Sequence, residues 1–215
     1  MPQIFYTEEE FRANEQQKIA LCRIVNSFTD AISQEISSKD KNEKTWHYIS
    51  LYPGEFLDQI TFVRNDIIKR FGNIKHKEKF VDLGCGIGDK IYLARQFNFN
   101  TTGIEISDNA IELSRKYFHD LNIIKEDINN INISEYDVIY YYCPFKNFSL
   151  QKAFEQRIEK EMRPGTYLIA NLKQDNSIVQ NKEFIRLNSH VYYKLKKTKL
   201  ETRKCSCQRD PKCEA

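Results

Sequence analysis

Several absences narrow the field at the outset. No apolar run approaches the roughly 20 residues that a membrane helix requires. A chain of 215 residues that is 40% hydrophobic and 29% charged therefore reads as a soluble protein. Glu8, Glu9 and Glu10 stand where a secretory signal would place basic residues and an apolar block, so cytoplasmic residence is the expectation. An excess of one charge sign is also lacking: the net charge is +3, which does not by itself mark a nucleic-acid binder. Six cysteines are present, but Cys22, Cys85 and Cys143 fall in separate helix, loop and strand contexts rather than at the spacing of a disulfide framework. The length allows one good core and leaves no room for a second large domain.

Glycine is scarce, seven in all, yet three alternate within residues 84–88. Phe80-Val81-Asp82-Leu83 reads as a short strand running into Gly84-Cys85-Gly86-Ile87-Gly88, with a helical stretch after Asp89. Glycine adopts backbone angles closed to other residues and lets main chain approach a ligand, so this strand end makes a tight turn floored by bare backbone. A dinucleotide fingerprint has the order Gly-x-Gly-x-x-Gly, and Asp89 stands where its last glycine belongs. That argues against a nicotinamide-dependent enzyme.

Downstream, Thr101-Thr102-Gly103-Ile104-Glu105-Ile106 reads as the next strand and places a carboxylate 17 positions after Gly88. A strand-end carboxylate accepts from both hydroxyls of a ribose; the alternative is a solvent-facing glutamate. Ser107 or Asp108 caps a helix from Asn109 to Phe118, a short strand covers 122–125, and Glu126-Asp127-Ile128 follows. The fourth strand runs from Tyr136 to Cys143, and Pro144-Phe145 ends it. Continuous apolar and aromatic residues suit a parallel strand buried on both faces, which is the plain reading of Tyr140 and Tyr141. Ligands of open parallel sheets bind beyond the carboxyl ends of strands, so Tyr142, Cys143, Pro144 and Phe145 are expected at the reaction. Leu150, Ala153, Phe154, Ile158 and Met162 paint one face of a helix from Leu150 to Arg163. Pro164-Gly165 stops it, 166–171 reads as a fifth strand, and 184–187 with 191–195 reads as a closing hairpin. This alternation predicts an α/β fold with a doubly wound, mostly parallel sheet of seven strands and an N-terminal helical extension.

Residues 79–198 resemble the class I, Rossmann-like S-adenosylmethionine-dependent methyltransferases. The resemblance is carried by Asp82 and the glycine loop, the Glu105 strand end, Asp127-Ile128, and Arg163-Pro164-Gly165 before the fifth strand. It implies S-adenosylmethionine as cofactor, with Gly84, Cys85, Gly86 and Gly88 under its methionine part and Asp82 fixing the loop or the ammonium. It further implies Glu105 and Ile106 at the ribose, Asp127 accepting from the adenine amine, Ile128 packed on the ring, and Cys143 beside the cofactor. Enzymes of this kind that methylate bases or glutamine amides carry Asp/Asn-Pro-Pro-Tyr/Phe after the fourth strand, and only Pro144-Phe145 of that turn is present. The missing acceptor weakens assignment to such amino groups. The expected acceptor is a protein side chain, an RNA or a small molecule, and Tyr142 or His47 would assist loss of its proton. A catalytically inactive sensor or partner subunit that binds the same cofactor is the alternative.

Residues 1–78 form an extension that the minimal fold does not need. Thr7-Glu8-Glu9-Glu10 resembles a capping box, and Phe11, Ile19, Cys22, Val25, Phe28 and Ile32 suit one apolar helical face to about Ile36. Ser37 to Lys44 is a polar connector, and Phe56 to Phe71 reads as a helix docking beside the first strand. In related enzymes the segment before that helix forms part of a lid, which makes Trp46, Tyr48 and Tyr52 candidates for substrate contact; a loop pinned by buried aromatics is the alternative. Residues 199–215 form a basic tail, through which a macromolecular acceptor is a candidate partner. Cys205, Cys207 and Cys213 in the tail would hold zinc only with a fourth ligand such as His190, Cys143 or a second chain's cysteine. A reduced tail without metal is the reading adopted.

Overall fold

The computed structural model describes residues 16–27, 29, 32, 51–72 and 77–196. A seven-stranded sheet organises them, in the order β3-β2-β1-β4-β5-β7-β6. The strands are β1 (Lys79–Leu83), β2 (Asn100–Glu105), β3 (Ile123–Lys125), β4 (Val138–Tyr142), β5 (Tyr167–Asn171), β6 (Phe184–Arg186) and β7 (Val191–Lys194). The first five pair in parallel, and β7 inserts antiparallel between β5 and β6. Chain order reverses direction across the sheet between β1 and β4, and the glycine loop leaves β1 at that switch point, where open α/β sheets bind ligands.

Helical residues 16–27 begin an N-terminal helix, α1, and are followed by α2 (Pro53–Phe71), α3 (Asp89–Gln96), α4 (Asp108–Tyr117) and α5 (Phe148–Glu161). Side chains alternate across a strand with period two, which sorts the core onto two faces. Phe80, Val138, Tyr140, Tyr167 and Ile169 face one way and pack with Phe56, Leu57, Ile60 and Val63 of α2 and Leu93 and Ala94 of α3. Val81, Leu83, Ile139, Tyr141, Leu168 and Ala170 face the other way and pack with Phe154 and Ile158 of α5. The consecutive tyrosines of β4 thus serve opposite faces. Tyr140 meets Phe56 edge-on at 5.0 Å between ring centres, and Tyr141 meets Phe154 at 5.2 Å. Both are buried, as a two-sided strand requires.

Element ends differ from the sequence reading where polar groups decide them. Helix α2 starts at Pro53 rather than Phe56, because proline suits the first helical position, where its missing N–H is no loss. Helix α5 starts at Phe148 because the Asn147 side chain accepts from the Leu150 N–H at 3.0 Å, a cap outside the apolar pattern. Ser107 caps α4, accepting from the Ala110 N–H at 3.3 Å. Strand β4 is shorter at both ends. Asp137 accepts from the Lys79 N–H and pairs with Arg163, and Cys143 takes a positive φ of 35° that turns the chain out of the sheet. Two short 3-10 turns, Ile128–Asn130 and Ile133–Glu135, link β3 to β4 where another crossover would carry a helix.

In α1, Cys22 and Val25 are buried, as is Ile32, while Ile19 lies on the exposed side of the face predicted for it. Lys18 pairs with Asp58 and ties α1 to α2. Among the described residues no helix is long and apolar enough to cross a membrane. Trp46, His47 and Tyr48, the capping box at Thr7, and Cys205, Cys207 and Cys213 lie outside the described residues.

Candidate functional site

The site is built on the carboxyl edge of the sheet by four strand exits and the start of one helix. After β1, Gly84, Gly86 and Gly88 have φ of 81°, 55° and 84°, values that side-chain-bearing residues adopt at a cost. At Gly84 an added Cβ would stand 3.4 Å from the Pro144 Cβ, and at Gly88 it would stand 2.8 Å from Leu121 Cδ1. The loop is tied to β2, because the N–H groups of Gly84 and Cys85 donate to the Ile104 carbonyl at 2.9 and 3.0 Å. Gly88 then opens α3 as its cap in the left-handed region.

Glu105, at the end of β2, closes this cradle. One carboxylate oxygen accepts from the Gly86 N–H at 2.8 Å, and the other accepts from the N–H groups of Ile106 and Ser107 at 2.8 Å each. The same bonds end β2 one residue before the expected Ile106. Ile106 is 51% exposed beside the cradle. Asp127 is half-buried, and its Oδ1 accepts from both the backbone and the side chain of Asn129, at 2.8 and 3.0 Å. Ile128 is buried with its side chain in the apolar cluster on the α5 face.

Beneath the loop lies a buried charged group that sequence reading had not assembled. Asp82, Asp89 and Lys90 are all buried. The Lys90 ammonium donates to the Asp89 carboxylate and, at 2.8 Å, to the Leu51 carbonyl just ahead of α2. Burial, then the nearby Asp89 carboxylate, push the Asp82 carboxyl well above the usual range, with Lys90 opposing and Glu105 adding. Burial likewise pushes the Cys85 thiol up, so it is no nucleophile there.

Beyond β4, Tyr142 is half-buried on the face that carries α2. Its hydroxyl is held above the ordinary phenol range, by burial first, then by the Glu55 carboxylate and by Cys143. Cys143 is buried, with its thiol 3.8 Å from the Phe145 carbonyl. Phe145 leans its ring on Phe154 of α5, 5.5 Å between centres, and Pro144 sits against the glycine loop. Tyr52 is 57% exposed at the cap of α2. Of the expected site residues that are described, the glycine loop, Asp82, Glu105, Ile106, Tyr142, Cys143, Pro144, Phe145 and Tyr52 thus gather at one edge, with Asp127 and Ile128 after neighbouring β3.

Two buried polar pairings hold this edge and were not found from the sequence. Gln59 of α2 and Asn171 at the end of β5 exchange both amide hydrogen bonds, at 2.8 and 3.1 Å. Asn171 is the register partner of Tyr142. On the other face, Glu155 of α5 is fully buried and accepts from the Gln151 side chain at 2.7 Å, from the N–H groups of Gln174 and Asp175, and from Lys173 at 3.2 Å. Gln151 in turn accepts from the Phe145 N–H at 3.1 Å. The exits of β4 and β5 therefore hang on one helix. The available signal was the placement of Gln151 and Glu155 one turn apart on the apolar face of α5, where solvated residues are not expected. A separate cleft of about 240 Å³, lined by Ser114, Phe118, Leu121 and Ile123 among others, opens at the start of β3, and Leu121 and Ile123 also stand beside Gly88.

Comparison with known proteins places these features. A family model described as a methyltransferase domain matches residues 74–208. Among solved structures, an RNA methyltransferase from Salinibacter ruber in complex with S-adenosyl-L-homocysteine is similar at 19% identity and a TM-score of 0.47, over 69% of this chain and 92% of that one. The plantazolicin methyltransferase BpumL, with a pentazolic desmethylPZN analog and SAH, is similar at 23% identity and a TM-score of 0.45, over 72% of this chain and 58% of that one. Streptomyces venezuelae DesVI is similar at 15% identity and a TM-score of 0.41, over 54% of this chain and 50% of that one. The chain thus spans about half the length of DesVI.

Proposed function

We propose, because the chain belongs to the methyltransferase-domain family, that it is an S-adenosylmethionine-dependent enzyme transferring a methyl group to an acceptor docked beyond β4. The observation that carries this reading is the closure of the positive-φ glycine loop on Glu105 at the topological switch point. Bare main chain there fits a ligand lying flat on the loop, and the acidic surroundings of Asp82, Asp89 and Glu105 fit one that carries positive charge.

In this reading Gly84, Cys85, Gly86 and Gly88 floor the methionine part, Asp82 meets its ammonium, Glu105 takes the ribose hydroxyls, and Asp127 with Ile128 flanks the adenine. Bound S-adenosylmethionine supplies a methyl carbon already activated by its sulfonium sulfur. What this chain's residues then supply is alignment and exclusion of water, effects worth up to several kcal/mol. Tyr142 stands nearest the acceptor, and its raised phenol remains protonated at neutral pH, which makes it a hydrogen-bond donor to the acceptor or, with His47, a relay for its proton. A protein side chain, an RNA or a small molecule remains the acceptor class, with the basic tail as a contact for a macromolecule. Among the described residues the buried Cys22, Cys85 and Cys143 are thiols rather than disulfides, which suits a reducing cytoplasm.

A second reading, a cofactor-binding sensor or partner subunit without turnover, is favoured by one observation. The turn after β4 presents Tyr142 where amino-methylating enzymes of this kind place Asp or Asn, and the buried Cys143 where they place the first proline. Parallel calorimetric titrations with S-adenosylmethionine, S-adenosylhomocysteine and NAD test both readings. Binding of the two sulfur compounds alone, followed by transfer of labelled methyl to a component of cell extract, is expected. Binding without any transfer would favour the sensor, and NAD binding would overturn both.

A further inference from the structure

The acceptor side of the site carries a feature that the cofactor does not use. Glu55 lies in the first turn of α2 and is exposed. It is one helical turn before Gln59, so the two share a face of α2. Gln59 is bonded to Asn171, and Asn171 is in register with Tyr142 on the same face of the sheet. This chain of contacts brings the Glu55 carboxylate close to Tyr142, in agreement with the electrostatic interaction between the two groups.

A second ring completes the arrangement. Tyr52 caps α2, and its ring lies so close to Gly54 that a Cβ there would stand 2.5 Å from Tyr52 Cε1. The ring is thereby laid back across the first turn that bears Glu55 while staying 57% exposed. A carboxylate beside two electron-rich aromatic rings is chemistry that recognises an ammonium cation. The carboxylate supplies the charge, and the rings supply attraction through their faces.

We propose that Tyr52, Glu55 and Tyr142 form the acceptor's docking point and select an acceptor that presents an alkylammonium group. The proposal rests on the reading of the site as a methyltransferase's and narrows the acceptor to an amine. Glu55 acts as a specificity-determining residue, and its charge disfavours carboxylates and other anions. An exposed carboxylate on a solvated first turn is not needed for folding, so substitution there leaves the protein intact.

The test titrates the S-adenosylhomocysteine-saturated protein with n-pentylammonium and, separately, with 1-pentanol, using saturation-transfer NMR. Pentylammonium is expected to bind and the isosteric alcohol not. Glu55→Gln should weaken pentylammonium about tenfold, the loss expected for one charge-assisted hydrogen bond, while S-adenosylhomocysteine affinity stays unchanged. Tyr52→Leu should weaken the amine severalfold, and Tyr142→Phe, which keeps the ring face, should weaken it less than Tyr142→Leu. Equal binding of amine and alcohol, no binding of the amine, or an unaltered Glu55→Gln would overturn the proposal while leaving the cofactor reading intact. Absence of S-adenosylhomocysteine binding would overturn the cofactor reading and this proposal with it.

Discussion

The Glu105 carboxylate accepts from the Gly86 N–H at 2.8 Å, so the second strand holds the loop that the first strand releases. Its other oxygen holds the N–H groups of Ile106 and Ser107. Glu105→Ala removes all three bonds together with the proposed acceptor for the ribose. The expected result is a loss of about 1.5 to 3 kcal/mol in S-adenosylmethionine affinity by calorimetry. Unchanged affinity would take Glu105 out of the site.

Asp82 gives the cofactor affinity a pH dependence of defined sign. Its folded-state pKa is raised, by burial above all. In the free protein this contributes stability below the ordinary carboxyl range that is lost as pH rises through the raised value. A cationic ligand reverses the preference, because it favours the ionised carboxyl and must expel a proton wherever Asp82 is still protonated. Affinity should therefore rise with pH through that range, with proton release seen as a dependence of the binding enthalpy on buffer. In Asp82→Asn the slope should vanish; a wild-type affinity flat in pH would contradict the assignment.

Glu155→Ala leaves the N–H groups of Gln174 and Asp175 without their buried acceptor and Lys173 with Glu159 as its remaining carboxylate partner, at 2.7 Å. Removing one member of a buried ion pair costs about 3 to 5 kcal/mol, which urea denaturation would show as a lowered midpoint. Hydrogen exchange should quicken at the β4 and β5 exits more than in β1 and β2. Uniform quickening across the sheet would mean that Glu155 stabilises the fold without organising the site.

The amide pair between Gln59 and Asn171 should behave as a unit. Gln59→Leu alone strands a buried amide and is expected to cost about 1 to 3 kcal/mol, whereas adding Asn171→Leu should recover part of the loss. Strict additivity in the double-mutant cycle would show that the two side chains act independently.

The succession of strands along the chain and the glycine turn were legible because they rest on short-range signals, continuous apolar runs and alternating glycines. Polar caps set the ends of elements, and apolar periodicity says nothing about them, so Pro53 and Asn147 moved two helix starts. What remained hidden were pairings across distance. Gln59 with Asn171 is separated by 112 residues, and Lys90 with the Leu51 carbonyl by 39. Each residue alone looks like an ordinary helix or strand-end polar group, and only the fold brings its partner. Glu55 escaped for a related reason: placing the helix start at Phe56 left it in a loop, where its face had no meaning.

The two outermost strands of the sheet, β3 and β6, are only three residues long. A strand at the border of a sheet offers unpaired N–H and C=O groups to any other chain, and the hazard grows with its length and flatness. Here each border offers little more than one residue pair's worth of template, and Lys125 and Arg186 end the two strands with charge. The tyrosine-rich β4, whose continuous apolar and aromatic residues would favour self-association if exposed, sits at the centre with a neighbour on either side. The fold thereby buries that segment where only full unfolding exposes it, and crowding of many copies should be tolerated for as long as the sheet stays closed.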